Sequence, residues 1–350
     1  MKISIIDPTT DSRWDRFTND QALSTIFHTS AWASVIKEAY GYLPRYYILE
    51  NEAGQIKAAV PLYGIRSRFT GERLICLPFS DYCYPLGVEG TDVSFLLEFI
   101  KKDVKSGKAT YLEIRGWQNG INPAELDLVA RDYHLTYLID LEPGVDAVRK
   151  QFHLSVRRGI HQAETRGATV HKTCTEDGLE NFYRLNLATR KKLGVLPQPL
   201  AFFRALNHHI FKNNLGFIFL AEWEGKTIAG VLFLIYKDTI YYKFNASDEN
   251  YLRKRPNHLL IWEAIRYACA NGYHYFDFGR CSEEEESLRA FKSLWGAKEI
   301  NLPYYYYPKV RGFATTPENS MIYRSMRLFS HVMPKSAFRI AGSLIYKHLA

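Results

Sequence analysis

The stretch YILENEAGQIKAAVPLY, Tyr47 to Tyr63, decides the reading of this chain once FLAEWEGKTIAGVLFLI, Phe219 to Ile235, is set beneath it at an offset of 172 residues. Each reads as two apolar, strand-like runs around a polar turn: Glu52, Ala53 and Gly54 in the first, Glu224 and Gly225 in the second. Ile48, Ile56 and Leu62 fall over Leu220, Ile228 and Leu234 without a gap. Hairpins share turn chemistry for steric reasons, so the match alone does not make a repeat. The order that follows does. A strand-like stretch from Arg73 to Pro78, a loop, a helix from about Val93 to Lys105 and the strand TYLEIRG succeed the first hairpin. TIYYKFNAS, a loop, a helix from about His258 to Ala270 and HYFDFGR succeed the second. In the closing strands Tyr111, Glu113 and Arg115 alternate to one side, as do Tyr275, Asp277 and Gly279, because strand side chains have a period of two.

The pattern predicts an α/β (α+β) protein made of two tandem mixed-sheet domains, residues 1–144 and 145–310, with a helical tail over 311–350 packing on the body. The length of 350 residues fits two domains of ordinary size. Five widely spaced cysteines with no CxxC pair speak against a disulfide framework or a zinc ribbon and for a reducing compartment. The start MKISIIDPTTDSRW lacks the apolar run of a signal peptide, and no stretch approaches the ~20 apolar residues that span a bilayer. The expected location is therefore the cytoplasm, with the inner face of the membrane as an alternative. A formal charge of +8 favours anionic partners: phosphates, nucleic acid or an anionic membrane surface.

Between the halves, Val145, Val148, Phe152, Val156, Ile160 and Ala163 recur at helical spacing, while Arg149, His153, Arg157 and His161 fall four apart on another face. One continuous helix with an apolar and a basic side is the expectation. Gly159 inside it costs roughly 1 kcal/mol relative to alanine, which predicts a packing reason for a missing side chain.

Three segments resemble the FemAB-like transferases, which are similar to two GNAT acyltransferase folds in tandem: FHTSAWASVIKEAYGY from Phe27, SVRRGIHQAETRGATV from Ser155, and GYHYFDFGRCSEEEESLRAFKSLWGAKEI from Gly272. The resemblance implies transfer of an aminoacyl or acyl group to an amine on a cell-envelope precursor of peptidoglycan or polysaccharide. The acceptor it implies is anionic, linked to a nucleotide or lipid diphosphate. Matching the third motif carries a proposed catalytic pair onto Phe291 and Lys292. The interdomain motif carries a diphosphate contact onto Arg157 or Arg158, and the amino-terminal motif brings Trp32 and Lys37, with Lys37 one place beyond the pattern. The donor it implies is aminoacyl-tRNA or acyl-CoA, with no tightly bound cofactor. The family's cell-wall members often add a long helical coiled-coil arm or keep a compact form, and no heptad arm is visible here.

Direct attack of an amine on an ester or thioester needs orientation, a proton acceptor and charge stabilisation at the carbonyl oxygen, and no nucleophile triad. Lys292 fits the last role; the plain alternative is a surface lysine on an exposed helix face. Asp277, on an aromatic strand, fits the proton acceptor; the alternative is a carboxylate satisfied by backbone donors or by Arg280. Asp81, Tyr82 and Arg280 join Lys37, Trp32, Arg157 and Arg158 as acceptor contacts, a plain turn being the alternative for Asp81 and Tyr82. CoA-dependent GNAT enzymes place a glycine-rich pyrophosphate loop before the central helix. DENYLRKRPNHLLIWEAI has no glycine there, which leaves Arg253, Arg255, Asn257 and His258 as donor contacts. His208 and His209 lack a third ligand at useful spacing, so no metal site is expected. The run Tyr304 to Tyr307 reads as a strand with alternating rings. In the tail, Ile322, Met326, Phe329 and Met333 form an apolar stripe among basic residues, suited to packing on the body or to docking on anionic lipid. Two other functions stay open: an acyl-CoA-dependent GNAT N-acetyltransferase in polysaccharide or lipid synthesis, and a non-catalytic anion-binding module.

Overall fold

A computed structural model describes residues 1–67, 71–91, 93–117, 122–131, 134–308 and 333–348. The chain forms two compact units, each built on one mixed sheet. The first unit contains β1 (Lys2–Ile6), α1 (Arg13–Asp20), α2 (Ser30–Tyr40), β2 (Pro44–Glu50), β3 (Ile56–Ser67), β4 (Gly71–Cys76), β5 (Leu86–Gly87), α3 (Ser94–Lys105), β6 (Leu112–Arg115) and β7 (Val129–Arg131). The second contains β8 (His134–Asp140), α4 (Val145–Gln151), α5 (Leu154–Thr165), β9 (Thr169–Thr173), α6 (Glu176–Leu193), α7 (Leu200–His209), β10 (Gly216–Trp223), β11 (Lys226–Tyr236), β12 (Thr239–Ser247), α8 (Pro256–Ala270), β13 (Tyr275–Asp277), β14 (Cys281–Ser282), α9 (Glu286–Ser293) and β15 (Lys298–Asn301).

The two sheets repeat one topology. Both run through three antiparallel pairings, β1 to β4 and β9 to β12, and then add a parallel strand that returns through a helix, β6 beside β4 and β13 beside β12. The register supports the sequence alignment of the closing acids, since Ile75 pairs with Glu113 and Tyr241 with Asp277 at corresponding places in the ladders. The outgoing hairpin strands keep the 172-residue offset, down to a β-bulge between Leu49 and Glu50 and another between Ala221 and Glu222. The returning strands do not. Ile48 pairs with Ala59 whereas Leu220 pairs with Gly230, so the second hairpin is one residue shorter and the gapless alignment slips by one beyond its turn. The physical reason is the turn, which sets hairpin register.

Strand pairing also moves the expected boundaries. Residues 135–140, which the repeat assigned to the first domain, form β8 and pair with β13 of the second sheet. The tyrosine run, assigned to the second domain, forms β16 (Tyr304–Tyr307) and pairs with β6 and β7 of the first. The closing strand of each repeat has an open side, and in each sheet a distant segment satisfies its backbone groups. Tyr304 and Tyr306 are buried on one face of β16, as the alternation predicts.

Local chemistry explains the helix ends. Thr29 caps α2 by accepting from the Trp32 amide at 3.2 Å, and Thr175 caps α6 by accepting from the Gly178 amide at 3.1 Å. Acidic Glu176 and Asp177 open α6 and Arg190, Lys191 and Lys192 close it, both favourable in the helix dipole. The interdomain helix is not continuous. It breaks at Phe152 and His153, where His153 caps α5 and its amide donates to the Leu294 carbonyl at 2.8 Å. Arg149 therefore does not share one straight stripe with Arg157. The tail forms a helix over Lys335–Ile345 that packs on α6; the stripe positions Ile322, Met326 and Phe329 lie outside the described residues.

Candidate functional site

The second sheet contains a place where two parallel strands part. β12 and β13 pair only over Thr239–Tyr241 and Tyr275–Asp277, after which β12 continues to Ser247 and the other chain turns away through Phe278 and Gly279. On its other side β12 bulges, its register against β11 skipping Lys243. Asp277 ends the paired segment and is 1% exposed. Its carboxylate accepts from the Thr136 hydroxyl at 2.8 Å and from the Gly279 amide at 2.7 Å. The expectation that a backbone donor satisfies this acid is met by Gly279.

Lys292 enters from α9. It is 3% exposed, which removes the surface-lysine alternative. Its ammonium donates to the carbonyls of Gly279 at 2.6 Å and Arg280 at 3.3 Å and lies 5.4 Å from the centre of the Tyr137 ring. The motif around it folds as a local anchor. Trp295 is fully buried, with its ring 5.1 Å from Phe152 and 6.2 Å from Phe278, so α9 is held where its lysine meets the turn after β13. Burial pushes the Cys281 thiol upward, only partly offset by the Lys292 charge, so this cysteine is not a ready thiolate nucleophile.

The start of α8 lies at the far end of β12. Asn257 accepts from the Ser247 hydroxyl at 2.7 Å and from the Asn245 amide at 3.2 Å, so its oxygen serves the fold. Pro256 takes the first helical turn and the preceding Arg255 adopts a left-handed conformation. The His258 ring packs 6.3 Å from Phe291 and 6.0 Å from Trp295. Burial, helped by the Arg255 charge, pushes its pKa down to about 4, which keeps the imidazole neutral at physiological pH. Gly159 of α5 lies against this ring: a Cβ there would come within 2.5 Å of His258 Cδ2. That contact is the packing reason which the sequence predicts for a glycine in mid-helix.

Asp277, Phe291, Lys292, the Arg280 backbone and His258 thus belong to one neighbourhood in the second unit. Arg157 and Arg158 are exposed on α5, and Arg253 and Arg255 are exposed ahead of α8. The acceptor contacts expected near the amino terminus belong to the first unit and do not all survive. Trp32 is fully buried against Phe27 in that unit's core and has no surface to offer a substrate. Lys37 is bound to Asp7 at 2.8 Å and Thr9 at 3.2 Å. Tyr82 packs edge-on to Phe27, and the Asp81 carbonyl accepts from the Tyr304 hydroxyl at 2.6 Å. Thr136 and Tyr137 were missed by the sequence reading. Both come from β8, whose membership of the second sheet has no local signal.

The family described as an acetyltransferase (GNAT) domain matches residues 150–293, from the end of α4 through Lys292. Lipid II:glycine glycyltransferase of Staphylococcus epidermidis, in two strains, is 31% identical over 91 residues. The match takes in 24% of this chain and only 22% of the relative's length. Among solved structures, FemX superposes with a TM-score of 0.70 at 18% identity, covering 88% of this chain and 97% of that one. A tandem GNAT protein from the clavulanic acid biosynthesis pathway superposes with a TM-score of 0.52 at 9% identity, covering 89% and 99%. By sequence, residues 150–293 match a GNAT acetyltransferase domain, and by fold the chain is similar over nearly its whole length to FemX and to a tandem GNAT protein.

Proposed function

We propose that this protein is an N-acyltransferase that moves an aminoacyl or acyl group onto an amine of a lipid-linked peptidoglycan precursor. The observation that carries the reading is Lys292, a cation buried at the parting of β12 and β13, inside the segment that matches the acetyltransferase family. In the proposed reaction the amine lone pair attacks the activated carbonyl carbon. The carbonyl π electrons move to oxygen, and on collapse the bond to the donor's oxygen or sulfur breaks. Lys292 stabilises the negative oxygen of the tetrahedral species or protonates the leaving oxygen, Asp277 takes the proton that the amine loses, and Phe291 and His258 line the acyl path. Arg157, Arg158 and Arg280 meet the acceptor's diphosphate through charge-assisted hydrogen bonds.

The donor proposed first is aminoacyl-tRNA. It is supported by the glycine-free approach to α8, where Arg255 and Pro256 stand in place of a pyrophosphate-cradling loop. Acyl-CoA is the second reading, favoured by Arg253 and Arg255 standing exposed beside the same helix. The test is a transfer assay with purified protein, a lipid-linked muropeptide acceptor and either charged tRNA or acyl-CoA, with Lys292→Ala as control. Product formed by the native protein and lost in the variant supports the reading. An anion-binding module without activity would replace it if neither donor gave product while the acceptor bound tightly.

A further inference from the structure

Thirteen large apolar side chains stand exposed among the described residues, and five of them fall in two neighbouring segments of the second unit. Leu193, the last residue of α6, and Val195 just beyond it are 53% and 41% exposed. Ile340, Leu344 and Ile345, 55%, 60% and 40% exposed, belong to the helix Lys335–Ile345. The segments touch. Phe338 and Gly342 turn inward, and Gly342 lies so close to Pro197 that a Cβ would meet its carbonyl oxygen at 2.5 Å. Gln198 donates to the Tyr346 hydroxyl at 2.8 Å. With Phe338 and Gly342 inside, helical geometry sends Ile340 and Leu344, four residues apart, to the outer side.

The charge around this apolar surface is mainly positive. Arg190, Lys191 and Lys192 close α6, with Lys192 paired to Glu249 at 3.0 Å, and Lys335 and Arg339 lie on the helix itself. Residues 319–350 contain five lysines and arginines and no aspartate or glutamate. Burial raises the Tyr346 hydroxyl above the ordinary tyrosine range, and the charges of Arg190 and Arg280 partly offset this. Exposed aliphatic groups rimmed by cations are complementary to an anionic bilayer, whose interface takes up the apolar face while its headgroups meet the basic rim. A second copy of this chain would bring equal positive charge against the patch.

We infer that the C-terminal helix and the end of α6 form a docking surface for an anionic membrane. The surface is independent of the proposed chemistry. The test is co-sedimentation of the full chain with vesicles of phosphatidylcholine alone and of phosphatidylcholine mixed equally with phosphatidylglycerol. The expected result is binding to the mixed vesicles only, weakened by salt. Ile340→Ser with Leu344→Ser, and separately Lys191→Ala with Arg339→Ala, should each lower the partition coefficient roughly tenfold, with the circular dichroism spectrum unchanged. Lys292→Ala should bind as the native protein does, which separates failure of this surface from failure of the catalytic reading. Equal binding by the patch variants overturns the inference. So does a native dimer in size-exclusion chromatography that the Ile340 and Leu344 changes dissociate, which would assign the surface to a second copy.

Discussion

Glu113 and Asp277 occupy the same place in two copies of one sheet, and their surroundings differ two residues later. In the first unit that later position is Arg115, whose guanidinium donates to Glu113 at 2.7 Å and to the carbonyls of Ser80 at 3.2 Å and Leu77 at 3.4 Å. The Cys83 amide also donates to the Arg115 carbonyl at 2.6 Å. Burial alone would lower the Arg115 pKa, and the Glu113 charge more than offsets it. Between β4 and β6 the parting is stitched by one side chain. In the second unit the position is Gly279, at φ +71°, which no side chain fills and which a branched or bulky residue would not adopt without strain. Its amide turns to Asp277 and its carbonyl receives Lys292 from α9. A duplicated fold has kept its acid and its ladder in both halves. In one it uses them for a closed ion pair, and in the other the turn after the acid receives a buried lysine from α9.

If that contrast is functional, the largest effect belongs to Lys292. Lys292→Ala should reduce kcat about a thousandfold in the transfer assay, in the range of losing one preorganised oxyanion donor. Glu113→Gln should leave the rate unchanged; equal losses in both variants would break the distinction between the two copies. Next comes the stitch. Arg115→Ala leaves a buried carboxylate without its cation and should cost roughly 4 kcal/mol in denaturant unfolding of the first unit. Loss of less than a surface pair's contribution would mean that Glu113 is not held as described.

The pH dependence of stability sharpens the second unit's side. His258 stays neutral in the fold with a pKa pushed down to about 4, against an ordinary value of 6.5. Below pH 6.5 the unfolded chain gains a proton that the folded chain does not. Stability is therefore complete above that pH, falls as pH drops toward 4 by on the order of 3 kcal/mol, and levels off below. His258→Gln should flatten this component in a series of chemical denaturations. Gly159→Ala should cost roughly 2 kcal/mol by overpacking, and much of that should return when His258→Ala is added. A Gly159→Ala variant as stable as the native protein would show that α5 does not rest on the His258 ring. The smallest effect is expected at Lys37, whose pair with Asp7 is partly exposed. Burial tends to raise the Asp7 carboxyl, but the hydrogen bonds from Lys37 and Thr9 hold it below its usual range. The pair's contribution is thus present above about pH 4 and lost as pH falls through the lowered value. Lys37→Met should cost under about 1 kcal/mol at neutral pH in the same unfolding measurement.

Much of this architecture was legible in the residues. Turn chemistry and the apolar runs disclosed two hairpins. Helix and strand periods gave the order that follows each, and the glycine at 159 announced a close neighbour. The equivalence of Glu113 and Asp277 was visible because side-chain parity along a strand is a property of the strand alone. The motif around Phe291 and Lys292 was visible through resemblance, and its Trp295 now has a physical reason in the core of the second unit. Trp32 shows the opposite case, since nothing local distinguishes a tryptophan that faces a ligand from one that fills a core.

What the sequence determined by itself was therefore everything that short-range sterics and periodicity encode: element types, their doubled order, the fold class and the alignment of the two acids. Tertiary structure alone decided that residues 135–140 and 304–307 close sheets on the far side of the predicted boundaries. It also decided that Thr136 would meet Asp277 across 141 residues and that Lys292 would be buried rather than solvated. Those outcomes depend on which open strand edge a distant segment satisfies, and backbone hydrogen bonding at an edge is blind to side-chain identity.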